Sequence, residues 1–173
     1  MIVAERHTPA RWRLARRTSP LTQPLQIYID ADACPVKDEV YKVAARYNLK
    51  VFVVANAPIA VPRDPMIERV AVPQGPDIAD EWIAERVGPR DIVITQDIPL
   101  AARCVKAGAK VIGNNGKAFT PDSIGMALAM RDLMTDLRGA GEMTRGPKPF
   151  SREDRSRFLQ ALDLAVAQLL RAG

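Results

Sequence analysis

Gln26-Ile27-Tyr28-Ile29-Asp30-Ala31-Asp32-Ala33-Cys34-Pro35 decides how this 173-residue chain folds. Ile27, Tyr28 and Ile29 are consecutive, apolar and β-favouring, which predicts a strand buried on both faces. Pro35 has its φ preset and no N–H to leave unpaired, so it suits the first turn of a following helix. Asp30 and Asp32 then stand at the carboxyl end of a strand, where open α/β sheets bind ligands. Two charges directly after a buried strand need partners. That need marks the pair as a candidate site.

Outward from this stretch, the pattern alternates. A helix over about 35–47 places Val36, Val40, Val43, Ala44 and Tyr47 on one face, and Asn48 closes it in the left-handed region. Residues 50–55 (KVFVVA) read as a second buried strand, 56–65 as a proline-rich loop and 67–72 as a third strand. Pro73-Gln74-Gly75-Pro76 forces a turn. Asp77 then stands as an N-cap of a helix that packs Ile78, Trp82, Ile83 and Val87 and stops at Gly88-Pro89. Residues 91–95 (DIVIT) form a fourth strand, 99–107 a helix ended by Gly108, and 110–112 a short fifth strand. Thr120 and Pro121 start a helix to about 138, and 139–150 is a flexible loop. Ser151-Arg152-Glu153-Asp154 resembles a capping box ahead of a last helix with Phe158, Leu162, Ala165 and Leu169 inward.

Strands alternating with helices of 10–15 residues imply βαβ units. Right-handed crossovers restrict how they connect. The expectation is a three-layer α/β/α sandwich with a mostly parallel sheet of about five strands, as one domain over 25–173 with C-terminal helices. Residues 1–24 lack a sustained period and contain Pro9, Pro20 and Pro24, and are expected to be a disordered basic arm. The net charge is +5, and five arginines against Glu5 give that arm +4, leaving +1 for the rest. A basic arm can hold nucleic acid, or be a solvated extension, or lie upstream of the true start. No apolar run approaches the roughly 18 residues of a membrane span, and no apolar segment follows the arginines to make an export signal. With 2 cysteines, the reading is a cytoplasmic protein with no membrane partner.

Acidic residues recur at one structural place. Asp30 and Asp32 follow the first strand and Asp97 follows the fourth. Asp77, Asp80 and Glu81 lie on the first turns of the helix that enters the fourth strand. If strands 26–30 and 91–95 are neighbours at a topological switch point, Asp30 and Asp97 face each other across one crevice. Asp77 and Asp80, three apart on a helix, share a face and close that crevice from the side. Clustered carboxylates cannot all stay ionised without a cation. Oxygen ligands without thiolate or extra imidazole suit Mg²⁺ or Mn²⁺, with Asp30, Asp32, Asp77, Asp80 and Asp97 as the ligand set. Structural roles compete: Asp77 and Asp97 can each cap a helix, and Glu81 can be a solvated surface residue.

The single histidine, His7, lies in the arm, so a Ser-His-Asp site is excluded, and so is a closed tetrahedral zinc site. General-base work then falls to a carboxylate or to metal-activated water. Cys34 has no redox partner in Cys34-Pro35-Val36-Lys37, and the Arg that a Cys-based phosphatase loop needs is replaced by Val40. Cys34 reads as a packed residue and Cys104 as core.

The combination Asp30-Ala-Asp-Ala-Cys-Pro-Val-Lys37, Gly75-Pro-Asp-Ile-Ala-Asp-Glu-Trp-Ile83 and Thr95-Gln-Asp-Ile-Pro-Leu-Ala101 resembles the YaiI/YqxD family of uncharacterised bacterial proteins. The resemblance runs from Ile27 to the last helix. That family is similar to the PIN/NYN superfamily of metal-dependent ribonucleases. The similarity implies a PIN-like fold, Asp30 and Asp97 as catalytic carboxylates, and Asp77 with Asp80 as the helix-borne acids. Asp32 stands near a polar position of some NYN domains. A fourth acidic position after the fifth strand is absent, and Asn114 and Asn115 occupy that region. Amides there can still ligate or position a water.

The function expected is Mg²⁺- or Mn²⁺-dependent hydrolysis of RNA phosphodiesters. Lys37, Arg145, Lys148 and Arg152 are the candidate phosphate contacts, and Asn114 and Asn115 the further substrate contacts. Aromatics are only 5% of the chain, so there is no stacking run for RNA bases. Two alternatives stay open. One is a non-catalytic PIN-like module binding RNA or a protein. The other is an Asp-based phosphatase with Asp30 as nucleophile and Asp32 as acid–base.

Overall fold

A computed structural model describes residues 2–3, 23–32, 34–139 and 149–172. The strands are β1 (Ile2–Val3), β2 (Gln26–Asp30), β3 (Lys50–Ala55), β4 (Ile67–Ala71), β5 (Asp91–Ile94), β6 (Lys110–Ile112) and β7 (Ala118–Phe119). The helices are α1 (Lys37–Tyr47), α2 (Ile78–Ala84), α3 (Ile98–Lys106), α4 (Pro121–Gly139) and α5 (Arg152–Ala172). The strands form one sheet in the order β1-β4-β3-β2-β5-β6-β7, parallel throughout except for β7.

The chain leaves β2 in one direction for β3 and β4, then returns across it to β5 and moves the other way to β6. Right-handed crossovers therefore put α1 and α3 on opposite faces. Alternation along the strands fits this. Ile27, Ile29, Ile92 and Ile94 pack with Val40 and Val43 of α1 and with Phe158 and Leu162 of α5. Tyr28 and Val93 pack with Trp82 and Ile83 of α2 and with Leu100 and Cys104 of α3. The three-layer sandwich is as expected. Helix α4 lies on α3, and α5 on α1.

Several local expectations hold. Asn48 is left-handed at φ 54° and closes α1. Ser151 Oγ accepts from Asp154 N–H at 3.1 Å while Asp154 accepts from Ser151 N–H at 3.0 Å, a reciprocal cap for α5. Asp154→Ala is expected to cost about 1 kcal/mol, read as a fall in the denaturant midpoint at unchanged m-value.

Other details differ. Two edge strands, β1 and β7, extend the expected five. Ile2 and Val3 pair with Val70 and Ala71, so the arm is not wholly without structure; residues 4–22 lie outside the described residues. Pro35 does not open α1. The first α-helical bond runs from Val40 N–H to Val36 C=O at 3.1 Å, and Pro35 sits in the preceding turn. The carbonyls of Cys34 and Pro35 are held instead by the side chains of Lys37 and Arg155, at 3.0 and 2.7 Å.

Candidate functional site

Strands β2 and β5 are neighbours, with Ile29 opposite Ile94, so the switch point lies between their carboxyl ends. Thr95, 1% exposed, links the two ends. Its hydroxyl donates to Asp30 Oδ2 at 2.8 Å and accepts from Asp97 N–H at 3.0 Å. A crevice of about 360 Å³ opens here, lined by all five candidate carboxylates: Asp30, Asp32, Asp77, Asp80 and Asp97. Cys34, Asn56, Gly75, Gln96 and Asn114 contribute to its walls, and among the described residues no lysine or arginine does.

Each acid is placed differently. Asp97 has extended backbone at φ −76°, ψ 111° and caps α3, its Oδ1 accepting from Leu100 N–H at 3.0 Å. One oxygen is thus spent on the helix while the residue still lines the crevice. Asp32 accepts from Asn56 N–H at 3.3 Å. Asp77 was expected to cap α2 but does not: it is left-handed at φ 63° and makes no side-chain cap bond. Gly75, at φ 152°, and Pro76 throw the chain into this conformation, whereas a capping side chain needs a β-region backbone. The strain leaves the Asp77 carboxylate to the crevice. Asp77→Gly is therefore expected to raise stability by about 0.5–1 kcal/mol, measured by urea unfolding.

Burial first, and neighbouring charge second, shift the titration of Asp30 and Asp80. Burial pushes Asp30 up to about 6, against the opposing Thr95 hydrogen bond and with the Asp97 and Asp32 charges adding to it. Burial also pushes Asp80 up, to about 7, followed by the charges of Asp97 and Asp30, a hydrogen bond to Asp97 and the charge of Asp77. The crevice carries more negative charge than its own protein atoms compensate. Thr95→Val removes a neutral donor to Asp30 and is expected to cost about 1–2 kcal/mol and to raise the Asp30 pKa further, read by carboxyl NMR titration.

The remaining candidates divide. Asn114 lines the crevice, its Oδ1 4.0 Å from Cys34 Sγ. Asn115 turns away to accept from Lys117 N–H at 3.0 Å, and Lys37 is committed to Cys34 C=O; neither contributes to the lining. Arg152 is exposed on the first turn of α5. Arg145 and Lys148 lie outside the described residues. Cys34 and Cys104 are free and buried, and burial raises both thiols, Cys104 to about 12, so neither is a thiolate nucleophile. Asn56 and Gln96 were not singled out from the sequence, and neither carried a signal there; Thr95 stood out only as the polar residue ending an otherwise apolar strand ahead of Gln96-Asp97, without its bond to Asp30.

Hard oxygen donors with amide neighbours suit Mg²⁺ or Mn²⁺. Among the described residues, no three His, Cys, Asp or Glu side chains already close around one point as a ready cation cage. Nor is any helix long and apolar enough to cross a membrane.

A family model described as "Uncharacterized BCR, YaiI/YqxD family" matches residues 28–168, the span that includes every crevice carboxylate. The chain belongs to the YaiI/YqxD family. Its relatives include a UPF0178 protein of Azorhizobium caulinodans, 65% identical over 151 residues, covering 87% of this chain and 95% of the relative. Another, from Rhodopseudomonas palustris strain BisB18, is 63% identical over 149 residues, with 86% and 96% covered. No solved structure matches. For this YaiI/YqxD chain, chemistry therefore has to be argued from the crevice itself.

Proposed function

We propose that this YaiI/YqxD protein is a divalent-cation-dependent hydrolase of RNA phosphodiesters, with the crevice between β2 and β5 as its active site. One observation carries the reading: five carboxylates line one crevice, with no lysine or arginine beside them among the described residues. Asp30, Asp80 and Asp97 would hold the Mg²⁺ or Mn²⁺, with Asp32 and Asp77 as further oxygen donors. The ion supplies a Lewis acid at the phosphoryl oxygens and charge for the leaving oxygen. The chain's own part is orientation. Thr95 fixes the Asp30 carboxyl, the cap to Leu100 fixes Asp97, and the amides of Gln96 and Asn114 offer donors at the rim.

A second reading is binding of RNA without turnover. It is favoured by Asn114, an amide where a further carboxylate would complete the set. Incubation of single-stranded RNA with the protein and Mn²⁺ distinguishes these. Shortened RNA, abolished in Asp97→Asn, supports hydrolysis; a shifted band of unaltered length supports binding alone.

A further inference from the structure

Glu39 is a buried acid outside the crevice set, 9% exposed on the first turn of α1. Its Oε1 lies 3.4 Å from Arg155 Nη1, and its Oε2 is buried with no hydrogen-bond partner. The same Arg155 nitrogen donates to Pro35 C=O at 2.7 Å, and the guanidinium lies 5.0 Å from the Phe150 ring. Pro35 adjoins Cys34, which lines the crevice, so this pair is tied to the residue behind one crevice wall.

The start of α5 braces a second loop as well. A Cβ on Gly116, at φ +83°, would lie 2.9 Å from Arg157 C=O, so the 113–117 turn that carries Asn114 is pressed against α5. Cys34 and Asn114 touch each other across the crevice wall. Both loops therefore lean on the first turns of one helix, more than 100 residues along the chain from Pro35.

We infer that Arg155 is a positioning residue: its hydrogen bond to Pro35 C=O and its pairing with Glu39 make the docked C-terminal helix set the Cys34–Asn114 wall of the crevice. The pairing with Glu39 holds the guanidinium in place, and the bond to Pro35 substitutes for the helical bonds that α1 does not make there. The cation-binding consequence rests on the function proposed above; the wall-setting role does not.

The test uses the full chain as an Arg155→Met/Glu39→Gln double variant, in which no buried carboxylate is left without its cation. Leu162→Ala, two turns further along α5, is the control for lost stability alone. Hydrogen exchange without metal is expected to accelerate roughly tenfold at the Cys34 and Val36 amides in the double variant and to stay unchanged at the Leu100 amide. Mn²⁺ affinity by calorimetry is expected to fall roughly tenfold, as for a lost supporting contact. The inference is overturned if Cys34 and Val36 exchange as in wild type, or if Leu162→Ala accelerates them equally. Wild-type protein that binds no Mn²⁺ defeats the cation reading, and the exchange rates still decide the role of Arg155.

Discussion

Asp30→Asn is expected to abolish measurable Mn²⁺ binding while leaving the chain folded. The side chain lies at the β2–β5 switch point, and the amide preserves its volume and can still bond Thr95. Only the charge and one ligating oxygen are lost. Contacts that merely support a metal ligand cost roughly 10–100-fold in affinity, so loss of a carboxylate ligand is expected to exceed that. Asp97→Asn should behave alike toward Mn²⁺ but also weaken the start of α3, since an Asn cap keeps the acceptor for Leu100 N–H but loses the negative charge that favours a helix N-terminus. Its midpoint should therefore fall slightly where that of Asp30→Asn does not. Calorimetric titration beside thermal unfolding separates the two effects. Equal Mn²⁺ affinity in wild type and both variants would remove the cation from the account.

The second large effect is on stability against pH. Asp30 and Asp80 both titrate above the ordinary 3.8 in the folded chain, at about 6 and about 7. Across that interval the folded state binds more protons than the unfolded state. These groups therefore favour folding most below about pH 4, and that contribution is lost as pH rises through 6 and 7. In metal-free buffer, stability should fall between pH 4 and 7 relative to a chain with ordinary carboxyls. Asp80→Asn removes the larger shift. Because Asp80 is only partly buried, solvent screening discounts the effect, and a gain of roughly 1–2 kcal/mol at pH 7 is expected. Saturating Mn²⁺ should reverse the sign, stabilising wild type in proportion to RT ln(1 + [L]/Kd) and the variant less. A flat metal-free profile from pH 4 to 7, with no gain in Asp80→Asn, would contradict the crowding of these acids.

The layers of the fold were legible because local signals agreed with tertiary packing. The apolar run into Asp30, the αL cap at Asn48 and the Ser151–Asp154 box each encode their element within a few residues. The strands β1 and β7 were not legible. Two residues cannot display a period, and Ala118–Phe119 forms a strand only because the Asn114–Gly116 turn folds it back on β6.

At the site, the acids could be read one by one, whereas their meeting depends on strand order, which no local pattern carries. A switch point brings Asp30 and Asp97 together only if their strands are neighbours, and the pairing of Gln26–Ile29 with 91–94 meets that condition. Asp77 misled because an acid before an apolar helix reads as a cap, while Gly75 and Pro76 had already set its backbone in the left-handed region. Glu39 was not singled out from the sequence; its cation, Arg155, arrives from 116 residues away. Long-range pairing of this kind leaves no trace in spacing.

Crystals of the protein soaked in Mn²⁺ and measured at the manganese absorption edge test the central claim most directly. The expected result is an anomalous peak between the carboxylates of Asp30, Asp80 and Asp97, absent from crystals of Asp30→Asn. Crystals that hold Mn²⁺ only at surface acids, with the crevice carboxylates unmoved and unligated, would contradict it.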